Sequence, residues 1–209
     1  LLLFYAVRDI RVRYKQTLLG AVWVVLQPLL TMAVLSYFLG RVAGISVPGV
    51  PYSVFILCGL LPWQLFTYGL TQSGLSLVNE AHVLRKVYFP RLLLPVASVM
   101  AGLVDFAISF AVLLVVALWF GVVPGPEIVV LPLLVVLVIL AALAVGFWLS
   151  AINVRYRDVR YTLPFLTQIL LFVTPVAYPS ASVPEQWRFV YGLNPMAGIV
   201  EGFRWALLG

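Results

Sequence analysis

Side chains able to do chemistry are scarce in this 209-residue sequence, and those present stand apart. The seven acids, Asp9, Glu80, Asp105, Glu127, Asp158, Glu185 and Glu201, are scattered singly. A membrane glycosyltransferase would need carboxylates close together to hold a metal or act as a general base. The lone His82 lies far from the lone Cys58, so a zinc-type site has too few ligands. A phosphate-binding loop needs a lysine directly after glycine, and neither Lys15 nor Lys86 follows one. No catalytic, metal or cofactor-binding residue is assigned. The chain is read as a non-enzyme that does not hydrolyse ATP by the phosphate-loop route. Transport, channel and scaffold roles remain.

The elements that must position these few polar groups are apolar. Apolar residues make up 64% of the chain and charged ones 10%, with a mean hydropathy of +1.11, so water is not its main solvent. Cys58 sits inside an apolar run and has no partner for an internal disulfide. Residues 1–19 carry Arg8, Asp9, Arg11, Arg13 and Lys15, too charged to span but suited to a helix along the membrane surface. Five uncharged or nearly uncharged stretches follow: Leu18–Leu39 with a kink expected at Pro28, Tyr52–Gln72 broken by Gly59 and Pro62, Leu92–Phe120, Ile128–Ile152, and a shorter one over Thr162–Tyr178. Gly121–Glu127 is a tight turn. Beyond Pro179 the pieces are short and amphipathic and hold Glu185, Arg188, Glu201 and Arg204, which predicts two short interfacial or re-entrant helices. The expected fold is an all-α integral membrane bundle forming one domain.

A net charge of +6 would, in a soluble protein, raise nucleic-acid binding. Here the charges punctuate apolar runs, and topology explains them better. Arg8, Arg11, Arg13, Lys15, Arg85, Lys86, Arg91, Arg155, Arg157 and Arg160 fall on one side of the alternating spans, against Arg41, Arg188 and Arg204 on the other. Ten against three places the first group, and the N-terminus, in the cytoplasm. The Gly121–Glu127 turn and the last residue are then outside.

Five stretches carry a family resemblance: RDIRVRYKQTLLGAVWVVLQPL (Arg8–Leu29), GLLPWQLF (Gly59–Phe66), KVYFPRLLLP (Lys86–Pro95), NVRYRDVRYTLPFLTQ (Asn153–Gln168) and LNPMAGIVEGFRWALLG (Leu193–Gly209). In this order they resemble the permease subunits of ABC exporters for polysaccharides and polyol phosphates, the O-antigen, capsule and teichoic-acid group. The resemblance covers essentially the whole chain and is specific for the family, not for a substrate. It implies an ATP-driven exporter of lipid-linked polysaccharide in the bacterial cytoplasmic (inner) membrane, built as a homodimer with two copies of a separate ATPase that binds ATP and magnesium. Such permeases have six spans, so residues 1–209 are read as a fragment lacking the start and the last transmembrane helix. A secondary transporter or a lipid scramblase without an ATPase partner is the rival reading. A secondary transporter would need paired intramembrane charges or a repeat, and neither is evident.

The resemblance places an ATPase coupling helix over Asn79, Glu80, His82, Val83, Lys86, Val87, Tyr88 and Phe89. The residues suit it, because apolar Val83, Val87 and Tyr88 alternate with polar neighbours in a short amphipathic element. An ordinary basic loop at the headgroups is the plainer alternative. In similar permeases the stretch holding Arg8, Arg11 and Arg13 is an interface helix that meets the ATPase, and arginines there suit anionic lipid headgroups as well. Asp105 is the one ionisable residue deep within a span and must face protein or water, as a packing hydrogen bond or as a pathway residue. Aromatics near span ends fit an interfacial belt. Of these, Tyr37, Tyr52, Tyr178, Trp187 and Tyr191 are assigned with Asp105 to a sugar path.

Overall fold

The computed structural model describes residue 8 and residues 20–82, 90–156 and 158–209. Helix α1 runs over Gly20–Leu35 and continues as a π-helical segment, Ser36–Val42. Helix α2 is Tyr52–Asn79, α3 is Leu93–Trp119 and α4 is Leu131–Arg155, the last preceded by a 3-10 turn at Pro126–Val130. Then come α5 (Val159–Val173), the short α6 (Arg188–Gly192) and α7 (Pro195–Leu208). Four of these stretches are long and apolar enough to cross a membrane. The fifth, α5, is a 15-residue apolar helix that ends five residues before the expected boundary at Tyr178.

Helix α2 is the hub, touching α1, α3, α4, α5 and α7. It passes unbroken through Gly59 and Pro62, where the sequence suggested an interruption, and extends to Asn79. In lipid a helix has no water to compete for its backbone, and the surrounding helices hold the turn at Pro62 together despite the missing N–H. Pro28 likewise lies within continuous α1. The departure from α-helical winding comes later, at Ser36–Val42, where Gly40 lies so close to Tyr52 that a Cβ would stand 2.9 Å from the ring.

Close helix contacts depend on small residues, as expected where packing must replace a hydrophobic driving force. A Cβ on Gly146 of α4 would fall 1.8 Å from Ser73 Oγ of α2, and one on Gly69 of α2 would stand 3.0 Å from Ala142. The expected turn after α3 is a helix stop. Gly121 has φ +76°, its N–H donates to Leu118 O at 3.0 Å, and Val122 N–H donates to Ala117 O at 2.9 Å, closing the helix in a Schellman arrangement.

Candidate functional site: a polar groove between α1, α2 and α3

A cavity of about 610 Å³ opens midway along the long helices. From α2 it is lined by Gln64, Thr67, Tyr68, Thr71 and Gln72, spaced so that they share one helical face. From α1, Trp23, Gln27 and Thr31 face it at four-residue intervals, and α3 contributes Gly102, Asp105 and Ser109. Three polar stripes therefore converge at bilayer depth. A polar side chain there is tolerated where it meets protein or water, not lipid.

The stripes are held in place locally. Thr31 Oγ1 donates to Gln27 O at 2.8 Å, and Thr67 Oγ1 donates to Trp63 O, each using the carbonyl one turn back. Ser109 Oγ donates to Val24 O at 3.4 Å and ties α3 to α1. Gly102 lets one edge of the Tyr68 ring come close to α3, since a Cβ there would stand 2.4 Å from Tyr68 Cδ1.

A second polar cluster surrounds Arg204 at the end of the bundle that carries the 43–51 loop. Arg204 is buried, its Nη2 donates to Val176 O at 2.8 Å and its Nη1 to Tyr178 O at 3.4 Å, and its guanidinium lies 3.6 Å from the Phe55 ring centroid. Gly59 makes the room, because a Cβ there would meet Val176 O at 2.7 Å and Arg204 Nη2 at 3.0 Å. Tyr52 OH donates to Ala177 O at 2.5 Å. Asn194 caps α7 by accepting from Met196 N–H at 3.0 Å, and its Nδ2 donates to Thr174 Oγ1 at 2.9 Å. The post-α5 turn is thus pinned to α2 and α7 at several points. Arg204 Nε, Glu201 Oε1 and Tyr191 OH are buried without a hydrogen-bond partner among the described residues. Burial, followed by the negative fields of Tyr178 and Glu201, pushes the Tyr191 phenol above its ordinary value, with Arg204 opposing.

At the opposite end, Arg8 grips Glu80 through Nη2–Oε1 at 2.5 Å and Nη1–Oε2 at 3.4 Å. Asn153 of α4 is buried and donates to Gly74 O at 3.1 Å, and Arg160 Nη2 reaches Asn79 Oδ1 at 3.5 Å. Arg8, the end of α2, the end of α4 and the start of α5 therefore meet on one surface.

Residues 1–208 match the model of the ABC-2 type transporter membrane family. The chain belongs to that family. It is 30% identical over 199 residues to the O-antigen export system permease protein RfbA of Klebsiella pneumoniae, covering 94% of this chain and 76% of that protein. It is 30% identical over 206 residues to the protein of the same name from Myxococcus xanthus, covering 98% and 78%. The polysialic acid transport protein KpsM of Escherichia coli is 26% identical over 209 residues, covering 96% and 78%.

On this ABC-2 bundle, the residues singled out from the sequence fall in three places. Asp105 lines the groove. Tyr52 and Tyr178 belong to the Arg204 cluster and Tyr191 lies within its field, whereas Tyr37 and Trp187 are exposed. Arg8, Asn79 and Glu80 meet at the opposite end, with His82 exposed beside them. Val83, Lys86, Val87, Tyr88, Phe89, Arg11 and Arg13 lie outside the described residues.

Two groups of site residues were missed in the sequence. The α2 stripe was legible as polar residues at Gln64, Thr67, Tyr68, Thr71 and Gln72, a helical spacing within an apolar span. Arg204 was read as a cation of a short amphipathic piece. Its spacing from Val200 and Leu207, both buried, puts it on the apolar face of α7.

Proposed function

We propose that this chain is the membrane-spanning permease subunit of an ATP-driven exporter of lipid-linked polysaccharide, and that the groove between α1, α2 and α3 is part of the polymer's path. The observation that carries this reading is the convergence of amide and hydroxyl stripes from three helices at bilayer depth. Lipid cannot satisfy the side-chain amides of Gln27, Gln64 and Gln72, and a polyhydroxylated chain or water can.

The family membership supports an ATPase partner, and the names of the relatives support a polysaccharide cargo. ATP and magnesium belong to that partner, two copies of which would serve a homodimer in a bacterial cytoplasmic membrane. The Lys/Arg asymmetry puts the N-terminus and the Arg8–Glu80 surface in the cytoplasm, where the ATPase docks through the segment beginning at Asn79. The exposed faces of the α1 stretch at Val34, Tyr37 and Phe38 and of α5 (Tyr161, Phe165, Ile169, Phe172) supply the contact with a second copy. A closed two-fold pair is the economical way to enclose a polymer between short bundles.

The test is solvent access followed by obstruction. In a Cys58→Ala background, a cysteine at Gln64 or Thr71 is expected to react with a membrane-impermeant thiol reagent, and one at buried Leu57 is not. Gln64→Trp, which fills the groove, is expected to abolish surface polymer while leaving membrane insertion intact. Unreactive groove cysteines together with normal export by Gln64→Trp would rule the path out.

A further inference from the structure

We infer that the groove binds uncharged, polyhydroxylated sugar residues and discriminates against polyanionic chains, an inference that rests on reading the groove as the path. The lining is chemically specific. Three glutamine amides, Gln27, Gln64 and Gln72, each present a donor and an acceptor, matching a sugar hydroxyl that both gives and accepts a hydrogen bond. Trp23 adds a flat apolar face of the kind that covers the C–H side of a pyranose ring, with an N–H at the edge.

A phosphate or carboxylate asks for something else. Anions are held by the guanidinium fork, by lysine, or by the free N–H groups of a helix N-terminus. Among the described lining residues there is no Lys, Arg or His, and the lining from α2 and α3 comes from helix interiors, where the N–H groups are already used. The only ionisable carboxyl among them, Asp105, has the wrong sign for an anionic ligand. The buried cation among the described residues, Arg204, is spent on Val176 O, Tyr178 O and Phe55 in a separate cluster. The volume, about 610 Å³, lies within the roughly 300–1,000 Å³ that accommodates a ligand of a few rings. The groove is thus matched to a short run of neutral sugars.

The distinction matters because relatives of both kinds of name lie within reach of this sequence. The E. coli relative is named for polysialic acid, a polyanion, and the Klebsiella and Myxococcus relatives for O-antigen. The groove lining sides with an uncharged cargo.

The experiment uses the full-length permease with its ATPase in lipid nanodiscs and two probes of equal length, a mannose oligomer and an α2,8-linked sialic acid oligomer. Equilibrium binding is measured for wild type, Gln27→Lys, Thr71→Lys and Gln64→Trp. The mannose oligomer is expected to bind at least tenfold more tightly. Gln27→Lys, at an exposed position that leaves the packed core alone, should narrow that ratio at least threefold, and Thr71→Lys provides the same change from α2. Equal or tighter binding of the sialic acid oligomer, absence of saturable mannose binding, or a ratio unmoved by both lysines overturns the inference. The path reading fails separately: if Gln64→Trp binds the mannose oligomer as wild type does and exports polymer normally, the groove is not the path at all.

Discussion

Helices α1 and α2 are neighbours of similar apolar character, yet the share of residues that are buried is 6% in the apolar stretch Val22–Val42, which holds most of α1, and 78% in that of α2. Hydropathy ranks them the wrong way for a soluble protein, at 1.9 for the exposed stretch and 1.5 for the buried one. The most apolar stretch, Pro126–Arg155 at 3.4, is only 22% buried. In water the apolar helix goes inside. In lipid it has no reason to, because acyl chains solvate it as well as other side chains do, and helices associate through close packing and hydrogen bonds. The less apolar α2 is central because its small residues, Gly69 and Ser73 among them, let α4 come into close contact. Ser73 Oγ donates to Gly69 O at 2.6 Å and Ser76 Oγ to Ser73 O at 2.7 Å. The α1 stretch is exposed without being the most apolar. It carries Trp23, Gln27, Thr31 and Tyr37 along its length, which marks a face awaiting protein or a polar cargo more than one made for lipid alone.

The sharpest way to break this comparison is to attack the close contact on which α2's central place depends. Gly146→Leu would drive a branched side chain into Ser73, where even a Cβ comes within 1.8 Å of Oγ. A leucine cannot be absorbed without separating α2 from α4, and overpacking of this kind costs at least the roughly 1–3 kcal/mol typical of added methylenes. The expected outcome is loss of the monodisperse peak in detergent size-exclusion chromatography. Normal yield of Gly146→Leu would show that α2 and α4 are not in this register.

Next in size is Leu70→Ala. Leu70 is fully buried in α2, and a leucine-to-alanine cavity costs about 2–5 kcal/mol in a packed core. The part due to lost contacts survives in a membrane even where transfer from water does not apply. Thermal unfolding in detergent should show a clearly lowered midpoint, and an unchanged midpoint would mean that α2 is not the packed hub.

A smaller loss is expected from Arg204→Met, which keeps much of the side-chain length but leaves Val176 O and Tyr178 O without their donor. Hydrogen bonds to a charged group are worth about 1.5–3 kcal/mol each, offset here by relief from burying the guanidinium. The net destabilisation should be about 1–3 kcal/mol. It should be read by proteolysis of the turn after α5, which is expected to become cleavable before the long helices are. Equal protection of that turn in wild type and variant would remove Arg204 as its anchor.

How far the sequence disclosed all this depends on the kind of signal. Span positions were legible because charge punctuates apolar runs, as at Arg41 and at Arg155–Arg160. The Gly121 turn was legible because glycine there meets a backbone need. The continuity of α2 was not, since Pro62 breaks helices in water and is carried by neighbours in a bundle. The early end of α5 at Val173 was hidden because the apolar character continues through Pro175, Val176 and Ala177 after the helix has stopped. Asp105 stood out as a lone charge, whereas the glutamines and threonines of the groove are uncharged and pass through a hydropathy reading unnoticed. Their helical spacing was the available clue. Arg204 was obscured for a different reason, because its partners are backbone carbonyls of a distant turn that no local pattern names.

The smallest expected effect is the one that defines the other side of the comparison. Leu30 of α1 is 52% exposed, so Leu30→Ala removes methyl groups that touch little within this chain. Where lipid or detergent covers the position, acyl chains refill the space and the cost should stay within about 0.5 kcal/mol, as for ordinary surface substitutions. Measured beside Leu70→Ala under identical conditions, it isolates burial from residue type, because the same side chain is removed from two neighbouring helices. A loss as large as that of Leu70→Ala would have its own meaning, since a position exposed in one copy can be buried between two. That alternative has a separate signature: the destabilisation would grow on dilution of the protein, because dissociation of a dimer depends on concentration and unfolding of a monomer does not. A small loss independent of concentration assigns Leu30 to lipid and confines any contact with a second copy to other parts of α1 and to the α5 face. A large loss that deepens on dilution places Leu30 within that contact.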